Sequence, residues 1–501
     1  MSDLARPERL DTDMAPASTP PQNRRDTMNE QPTRRDFLRH GAVLTGAAAA
    51  GSLWPAGFAR AEKPAGGSPN EKLNIACIGI GGRGGAHVGP ALDENLVAIC
   101  DVTDGRLQGC LGSIDKTYRE HEINRPLPKT FFDYRELMDK MGDQIDAVVV
   151  ATPDNHHAMA SMRAIKRGKH VYCEKPLTHD LYEARRLAGA ARLHNVATQL
   201  GNQGRAGDGW RLLCEYLWSG QLGNVQEVHT WTDRPGIAAR FWWPQGGTRP
   251  PGADPIPSDL HWDIWLGPAR ERPYLDAYKE GKFKGQRVYQ PFVWRGWWDF
   301  GTGALGDIGC HSWSGMFTAL KVEHATAVTL IEDTGDNTEE MFPSASKIQW
   351  DLPARGDMPP CKMFWYDGGK YPPRDLGEWP EGKEPPDNGT LIVTDKGKFW
   401  ADGEPRPIGK FDGELKRPEP TIPRCESDHF KEWVTAAKGG RPAASNFDHA
   451  GPLTELVLLG NLAIKAGVGN KVEWDGPNLC VTNLPALNQH VEREYRAGWA
   501  L

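Results

Sequence analysis

The sequence predicts an α/β protein in two unlike parts: a doubly wound parallel sheet, then an α+β domain with a large, mostly antiparallel sheet. Three observations carry that prediction. Apolar runs of strand length alternate with helix-length segments from residue 73 to residue 200, the pattern of a parallel sheet covered by crossover helices. A glycine-rich turn closes the first run. Beyond about Gly223 the pattern shifts to strands with few helices between them. A length of 501 residues fits two domains after removal of a leader.

The leader is read from residues 1–61. Thr33-Arg34-Arg35-Asp36-Phe37-Leu38 precedes a mild apolar run at 41–53, and Ala59-Arg60-Ala61 gives a small-x-small cleavage pattern. The run is too short and too rich in Ala and Gly for a transmembrane helix, so it reads as a twin-arginine export signal removed after about Ala61. Residues 1–27 are polar, and the start is expected at Met28 rather than Met1. The address implies a periplasmic or otherwise exported protein with no stable membrane span. Nine cysteines include no C-x-x-C pair and read as free, mostly buried thiols, which suits a chain exported already folded.

Residues 70–205 form the parallel-sheet domain. Residues 73–78 read as a buried strand, and Gly79-Ile80-Gly81-Gly82-Arg83-Gly84 is a G-x-G-x-x-G that opens a helix. Such glycines permit a tight turn and bring backbone to a pyrophosphate at the helix N-terminus. A second strand at 96–100 ends in Asp101, placed to accept the adenosine ribose hydroxyls. With no basic residue before Arg106, NAD is favoured over NADP. A nicotinamide cofactor has no diffusible pool outside the cytoplasm, so it is expected to be retained through export.

The alternation continues with a helix at 104–122, a strand at 129–132, a helix at 133–141 and an apolar strand at 145–151. Thr152-Pro153-Asp154-Asn155-His156-His157 follows at the same sheet edge, which directs Thr152, Pro153, Asn155 and His157 to the nicotinamide side of the cleft. A plain Asx or proline cap has the same appearance. After a helix to Arg167 comes His170-Val171-Tyr172-Cys173-Glu174-Lys175-Pro176-Leu177, a strand that ends in a charged pair and is stopped by proline. Another helix and a strand at 196–200 complete six strands.

The glycine turn, Thr152-Pro153 and Glu174-Lys175-Pro176 together resemble the Gfo/Idh/MocA oxidoreductases, the family of glucose-fructose oxidoreductase and inositol dehydrogenase, and most of all its secreted members. The resemblance implies a Rossmann NAD-binding domain, with Glu174 and Lys175 at the cofactor and Lys175 beside the reacting hydroxyl. It also implies a partner motif. Trp298-Asp299-Phe300-Gly301-Thr302-Gly303-Ala304-Leu305-Gly306-Asp307-Ile308-Gly309-Cys310-His311 resembles the family's glycine-rich stretch with Asp and His four apart. With a helix from near Gly306, Asp307 and His311 share one face. An imidazole with a pKa near 6.5 suits removal of a hydroxyl proton, a task worth about 10²- to 10⁴-fold in rate. On this reading His311 carries the proton, Asp307 orients its ring, and Lys175 stabilises the alkoxide. A capping Asp and a buried His are the plain structural alternative. Ser314 departs from the acidic residue the family often has three positions past the histidine.

Residues 206–475 form the substrate and oligomerisation domain, and 476–501 a C-terminal tail. Strands are expected at 225–232, 325–331, 347–351, 362–366 and 390–400, and helices at 426–437 and 452–466. The Pro- and Gly-rich stretches 234–259 and 367–388 read as long loops. Eleven of the 19 tryptophans lie between Trp210 and Trp313, among them Trp242, Trp243, Trp297 and Trp298. A few are expected to stack on sugar rings and most to fill cores or interfaces. A net charge of -7 with scattered basic residues excludes a nucleic-acid binder, and no metal-ligand cluster stands out. The expected partners are a small-molecule carbohydrate and further copies of the chain. Three functions follow: an oxidoreductase on a sugar, polyol or glycoside hydroxyl with recycled NAD; an NAD-dependent glycosidase working by oxidation, elimination, hydration and reduction; and a non-catalytic sugar-binding protein.

Overall fold

The computed structural model of the protein describes residues 71–501; the twin-arginine stretch, its cleavage pattern and Met28 lie outside the described residues. The first sheet has β1 Asn74–Ile78, β2 Asn95–Cys100, β3 Lys129–Phe131, β4 Ala147–Val150, β5 His170–Cys173 and β6 Thr198–Leu200. Its order is β3-β2-β1-β4-β5-β6, and every pairing is parallel. β4 is buried at all four positions because helices cover both faces, which is why its sequence is a run of apolar residues without alternation. Chain order reverses between β1 and β4. A crevice therefore opens at their C-terminal ends, between the turn after β1 and the turn after β4.

The second sheet begins with β7 Val225–Trp231. A two-stranded ribbon of β8 Gly236–Ile237 and β9 Arg240–Phe241 interrupts the stretch expected as loop. The sheet continues with β10 Ala327–Asp333, β11 Ser346–Leu352, β12 Cys361–Tyr366, β13 Gly389–Thr394, β14 Gly397–Trp400, β15 Arg406–Ile408, β16 Lys471–Asp475 and β17 Cys480–Val481. Its order is β15-β14-β13-β7-β12-β11-β10-β16-β17, antiparallel except between β7 and β12. The expected single strand at 390–400 is a hairpin: Asp395 and Lys396 turn the chain, and Gly397 takes φ +153. The stretch expected as a loop at 367–388 carries one helical turn, Arg374–Gly377.

One face of this sheet is dry. β11 alternates buried and half-buried residues, and its Trp350 meets Trp313 edge-on at 4.7 Å while donating its indole N–H to the Leu456 carbonyl. Trp313 lies on the helix Gly303–Ala319 and Leu456 on the helix Phe447–Ala466, which starts five residues before the expected Pro452. That long helix also packs on the helix Leu181–Leu193 of the first domain, where a Cβ on Gly451 would lie 2.9 Å from Ala188. One hydrophobic core thus runs through both domains and fixes the helix Gly303–Ala319 across the crevice from β5. No helix among the described residues is long and apolar enough to cross a membrane.

Candidate active site

The crevice is a cleft of about 500 Å³. Its nucleotide end is the glycine turn. Gly79 has φ +78, and a Cβ there would sit 2.6 Å from the Ala151 carbonyl oxygen; a Cβ on Gly84 would sit 2.0 Å from the Gly79 carbonyl. Gly81, Gly82 and Arg83 line the cleft. Ile80 and Gly84, expected to bind the cofactor, do not line it. The Ile80 side chain belongs to the core while its N–H donates to Asp101 Oδ2 at 3.1 Å, and Gly84 only closes the turn.

Asp101 is buried, and its Oδ1 has no hydrogen-bond partner among the described residues. Burial raises its pKa against the opposing pull of Arg106, which reaches back to within 3.6 Å. Thr152 Oγ1 is a second buried and unpartnered oxygen on the cleft wall, on the far side of Gly79. Two orphaned polar atoms flanking a turn too tight for side chains fit a dinucleotide. Among the described residues no group of three His, Cys, Asp or Glu is gathered as metal ligands.

Glu174 lines the cleft with its carboxylate taken up by protein groups, whereas Asn155 lies off it. Glu174 Oε1 accepts from Arg83 Nε at 3.0 Å and Gln203 Nε2 at 2.9 Å, and lies 2.8 Å from His87 Nε2. Burial pushes its pKa up, but the His87 hydrogen bond and the charges of His87, Lys175 and Arg83 outweigh it and hold the group at about 2. It fixes Arg83 over the turn. Asn155 does not line the cleft; its Nδ2 donates to the Leu266 carbonyl at 3.1 Å, tying the two domains. Pro153 and His157 do line it. His157 has Nδ1 2.7 Å from the Pro176 carbonyl and Nε2 2.9 Å from the Thr152 carbonyl, so it clamps the ends of β4 and β5 together.

At the other end of the cleft Lys175 Nζ donates to Asp307 Oδ1 at 2.6 Å and to the Asp307 carbonyl at 2.9 Å. The helix carrying Asp307 begins at Gly303, earlier than expected; Thr302 precedes it without a side-chain capping bond and instead donates to Asp154 Oδ2 at 2.6 Å. His311, one turn on, opens into the cleft and hydrogen-bonds no described residue. The ring is solvent-accessible in the cleft, but the protein crowded around it and the adjacent Lys175 ammonium lower its pKa to about 4, so the ring is neutral at pH 7. The expected pairing of Asp307 with His311 is not formed. Asp307 Oδ1 is already shared by Lys175 and Arg295 Nε, the latter at 2.9 Å, and burial is outweighed by these two cations, so its pKa falls far below the usual carboxylate range. Ser314 faces inward, with Oγ accepting from Asn202 Nδ2 and 3.0 Å from His449 Nε2, and does not line the cleft.

Of the four named tryptophans only Trp242 lines the cleft, joined by Trp265 and Trp294; Trp243 and Trp297 are fully buried, and Trp298 packs on Phe342 and Lys465. Sequence reasoning also missed Arg234, Gln290, Phe292 and Arg295, all on the cleft wall. The run Trp294-Arg295-Gly296-Trp297-Trp298, a lone cation among aromatics twelve residues before Asp307, was the available signal.

A parallel six-stranded domain with a glycine turn at its switch point, facing a lysine and a neutral histidine across one cleft, defines a two-domain dinucleotide-binding protein of the oxidoreductase type. Two family models match the chain: the NAD-binding Rossmann fold of the Gfo/Idh/MocA oxidoreductase family over residues 73–202 and its C-terminal alpha/beta domain over 215–353, together more than half of the sequence. The chain belongs to the Gfo/Idh/MocA oxidoreductase family. It is 27% identical over 162 residues to the inositol 2-dehydrogenase of Salmonella typhimurium, covering 31% of this chain and 45% of that protein. It is 31% identical over 128 residues to glycosyl hydrolase family 109 protein 1 of Shewanella sp., covering 24% and 26%. The chain thus matches less than half the length of either relative. Its fold resembles the WlbA dehydrogenase from Bordetella pertussis, solved in complex with NADH and UDP-GlcNAcA, with a TM-score of 0.52 at 14% identity over 81% of this chain and 99% of that one.

Proposed function

We propose that the protein is an exported, NAD-dependent oxidoreductase acting on a hydroxyl of a sugar, polyol or glycoside, with the cofactor retained and recycled and the chain assembled as a homo-oligomer. The observation that carries the reaction is the placing of Lys175 Nζ and a neutral His311 in the cleft that begins at the glycine turn. When bound, NAD supplies the hydride acceptor and, in the reverse direction, the donor. The chain's own residues do the rest. Lys175 has three N–H donors and spends two on Asp307, which aims the third at a substrate hydroxyl and stabilises the alkoxide as its proton leaves. His311, with a free ring nitrogen and no charge, takes that proton and returns it in the reverse half-reaction. Asp101 and Thr152 offer acceptors to the ribose and the nicotinamide side. Denaturing the purified exported protein tests the retained cofactor: NAD is expected in the supernatant at near one per chain, and its absence would overturn this part of the reading.

The likeness to a family 109 glycosyl hydrolase favours a second reading, with the same residues. Oxidation of a ring hydroxyl to a ketone acidifies the neighbouring C–H, the aglycone leaves by elimination, water adds, and the ketone is reduced again, so no net redox occurs. Aglycone release with solvent deuterium at the carbon beside the transient ketone supports it; a stable keto sugar without exchange supports the simple oxidoreductase.

A further inference from the structure

We propose that the cleft is built for an anionic sugar, whose acid group is held by the guanidinium groups of Arg295 and Arg234 while its ring lies against Phe292, Trp242 and Trp294. The reaction rests on the reading above; the ligand's charge rests on three separate observations.

The first is the charge of the wall beside His311. Lys175 and Arg295 share one carboxylate on the wall, that of Asp307; the buried Asp154 behind them is faced first by His157 and Thr302, so one positive charge is left over at the wall. The other carboxylates lining the cleft are Asp101, at the adenosine end, and Glu174, already bound by Arg83, His87 and Gln203. Among the described residues no uncommitted carboxylate lines the substrate end. A neutral hydroxyl cannot cancel the surplus, and an anion can.

The second is donor capacity. Arg295 spends Nε on Asp307 and Nη1 on the Phe292 carbonyl, and its Nη2 hydrogen-bonds no described residue. Arg234 spends Nη1 on the buried Asp233, which it shares with Arg240, itself also paired with Asp387; the Nε and Nη2 of Arg234 hydrogen-bond no described residue. Both side chains are largely enclosed, 14% and 20% exposed, and both line the cleft. These N–H groups are not among the buried unpartnered atoms and open to the cleft, where a ligand acid group can take them in place of water.

The third is posture. Phe292 adopts φ +73, a conformation that residues with a Cβ avoid, and this leaves its ring 43% exposed at the cleft. Such backbone persists where surrounding structure enforces it, typically at ligand clamps. The Arg295 guanidinium stacks 4.1 Å from the Phe292 ring and 4.3 Å from Trp294, and that of Arg234 lies 3.8 Å over Trp242. Stacking fixes the direction of each fork before a ligand arrives, and a fixed fork matches a planar carboxylate best.

The test uses the full chain with added NAD and matched neutral hexoses, hexuronates, hexose 6-phosphates and hexose 6-sulfates of the gluco, galacto and manno series. Binding is read by calorimetry and oxidation by cofactor absorbance. An anionic arm is expected to bind at least about tenfold more tightly than its neutral counterpart, and the arm that wins names the acid group. That advantage should shrink as salt is raised, a measurement on the unaltered chain. Arg234→Gln and Arg295→Gln should each weaken anion binding about ten- to a hundredfold, and Arg234→Lys should recover part of the loss. Neutral sugars binding as tightly as every anion, no anion binding at all, or a preference indifferent to both salt and arginine replacement would each overturn the proposal. Salt-dependent anion binding without oxidation of any arm would instead sink the oxidoreductase reading and leave the anion site standing. Oxidation of neutral hexoses with no anionic advantage would do the reverse.

Discussion

Lys175 reaches Asp307 across 132 residues of sequence, and two of its three ammonium N–H donors are held there. Lys175→Ala and His311→Ala are each expected to lower turnover by at least about 10²-fold while the purified protein still releases NAD on denaturation; wild-type turnover in either variant would remove that residue from the reaction. The pH profile adds a sign. A base must be neutral to work, and the His311 pKa is lowered, so kcat/KM should stay flat from pH 8 down past 6.5 and fall only nearer pH 4. An acid limb centred at or above 6.5 would contradict the environment assigned to His311. Lys175, Asp307 and His311 were legible as candidates because each sits at a strand end or on a short motif, and all three line one cleft. Asp307's true partner was not, since Arg295 approaches from a loop whose path no periodicity encodes. Asn155 was placed on the cleft for a related reason: a polar residue at a sheet edge looks the same in sequence whether it meets a ligand or a neighbouring loop.

At the level of elements the site depends on strand ends being held in register by groups outside the sheet. Both ring nitrogens of His157 face carbonyl oxygens, which only accept, so the ring must donate from both and be an imidazolium. Burial opposes that charge, but Cys173, Asp154 and the Pro176 carbonyl outweigh it and raise the pKa to about 9. A histidine with a raised folded-state pKa contributes stability that is whole below its unfolded value near 6.5 and is lost as pH rises through about 9. Wild-type protein should therefore lose thermal stability between pH 7 and 10, and His157→Gln should begin about 1.5–3 kcal/mol less stable and show a flatter pH dependence; parallel Tm-against-pH curves would refute the clamp. The glycine turn makes a second demand on elements. Gly84→Ala places a methyl against the Gly79 backbone carbonyl, which no side-chain rotation can relieve, so NAD should be absent from the purified variant while its circular dichroism stays native. Retained NAD would show that the turn can relax. The six parallel strands were legible to within about two residues at their ends; in the central β1 and β4 burial on both faces writes a continuous apolar run, whereas the edge strand β3 is exposed and was placed by the alternation around it. The hairpin at 390–400 was not: two short strands and a two-residue turn have the same alternation as one long strand, and only Gly397 marks the break.

The whole molecule is closed by the stretch that sequence alone left as a tail. Residues 485–501 return to the first domain: Arg493 donates to Glu183 Oε1 at 2.7 Å and to the Asn155 carbonyl, Tyr495 reaches the same Glu183, and Trp499 meets Tyr134 and His156 edge-on, both of which line the cleft. Nothing local predicts this, since the partners lie more than 300 residues away and the tail has no repeat or periodic face. Glu183 is fully buried and Asp180 nearly so, and the two belong to one capping box. Arg493 is the cation that lets both carboxylates stay inside. Arg493→Ala leaves them facing each other without it, which should cost about 3–5 kcal/mol in urea unfolding at pH 7. The pH dependence distinguishes lost charge from lost packing. Burial first and then the Glu183 charge raise the Asp180 pKa, so the folded state holds a proton that the unfolded state has released, and stability falls as pH rises above the unfolded value. Removing Arg493 removes the charge that opposes this shift, so the variant should regain stability as pH drops from 7 toward 5, more steeply than wild type. A loss that stays constant over that range would mean that Arg493 acts by filling space.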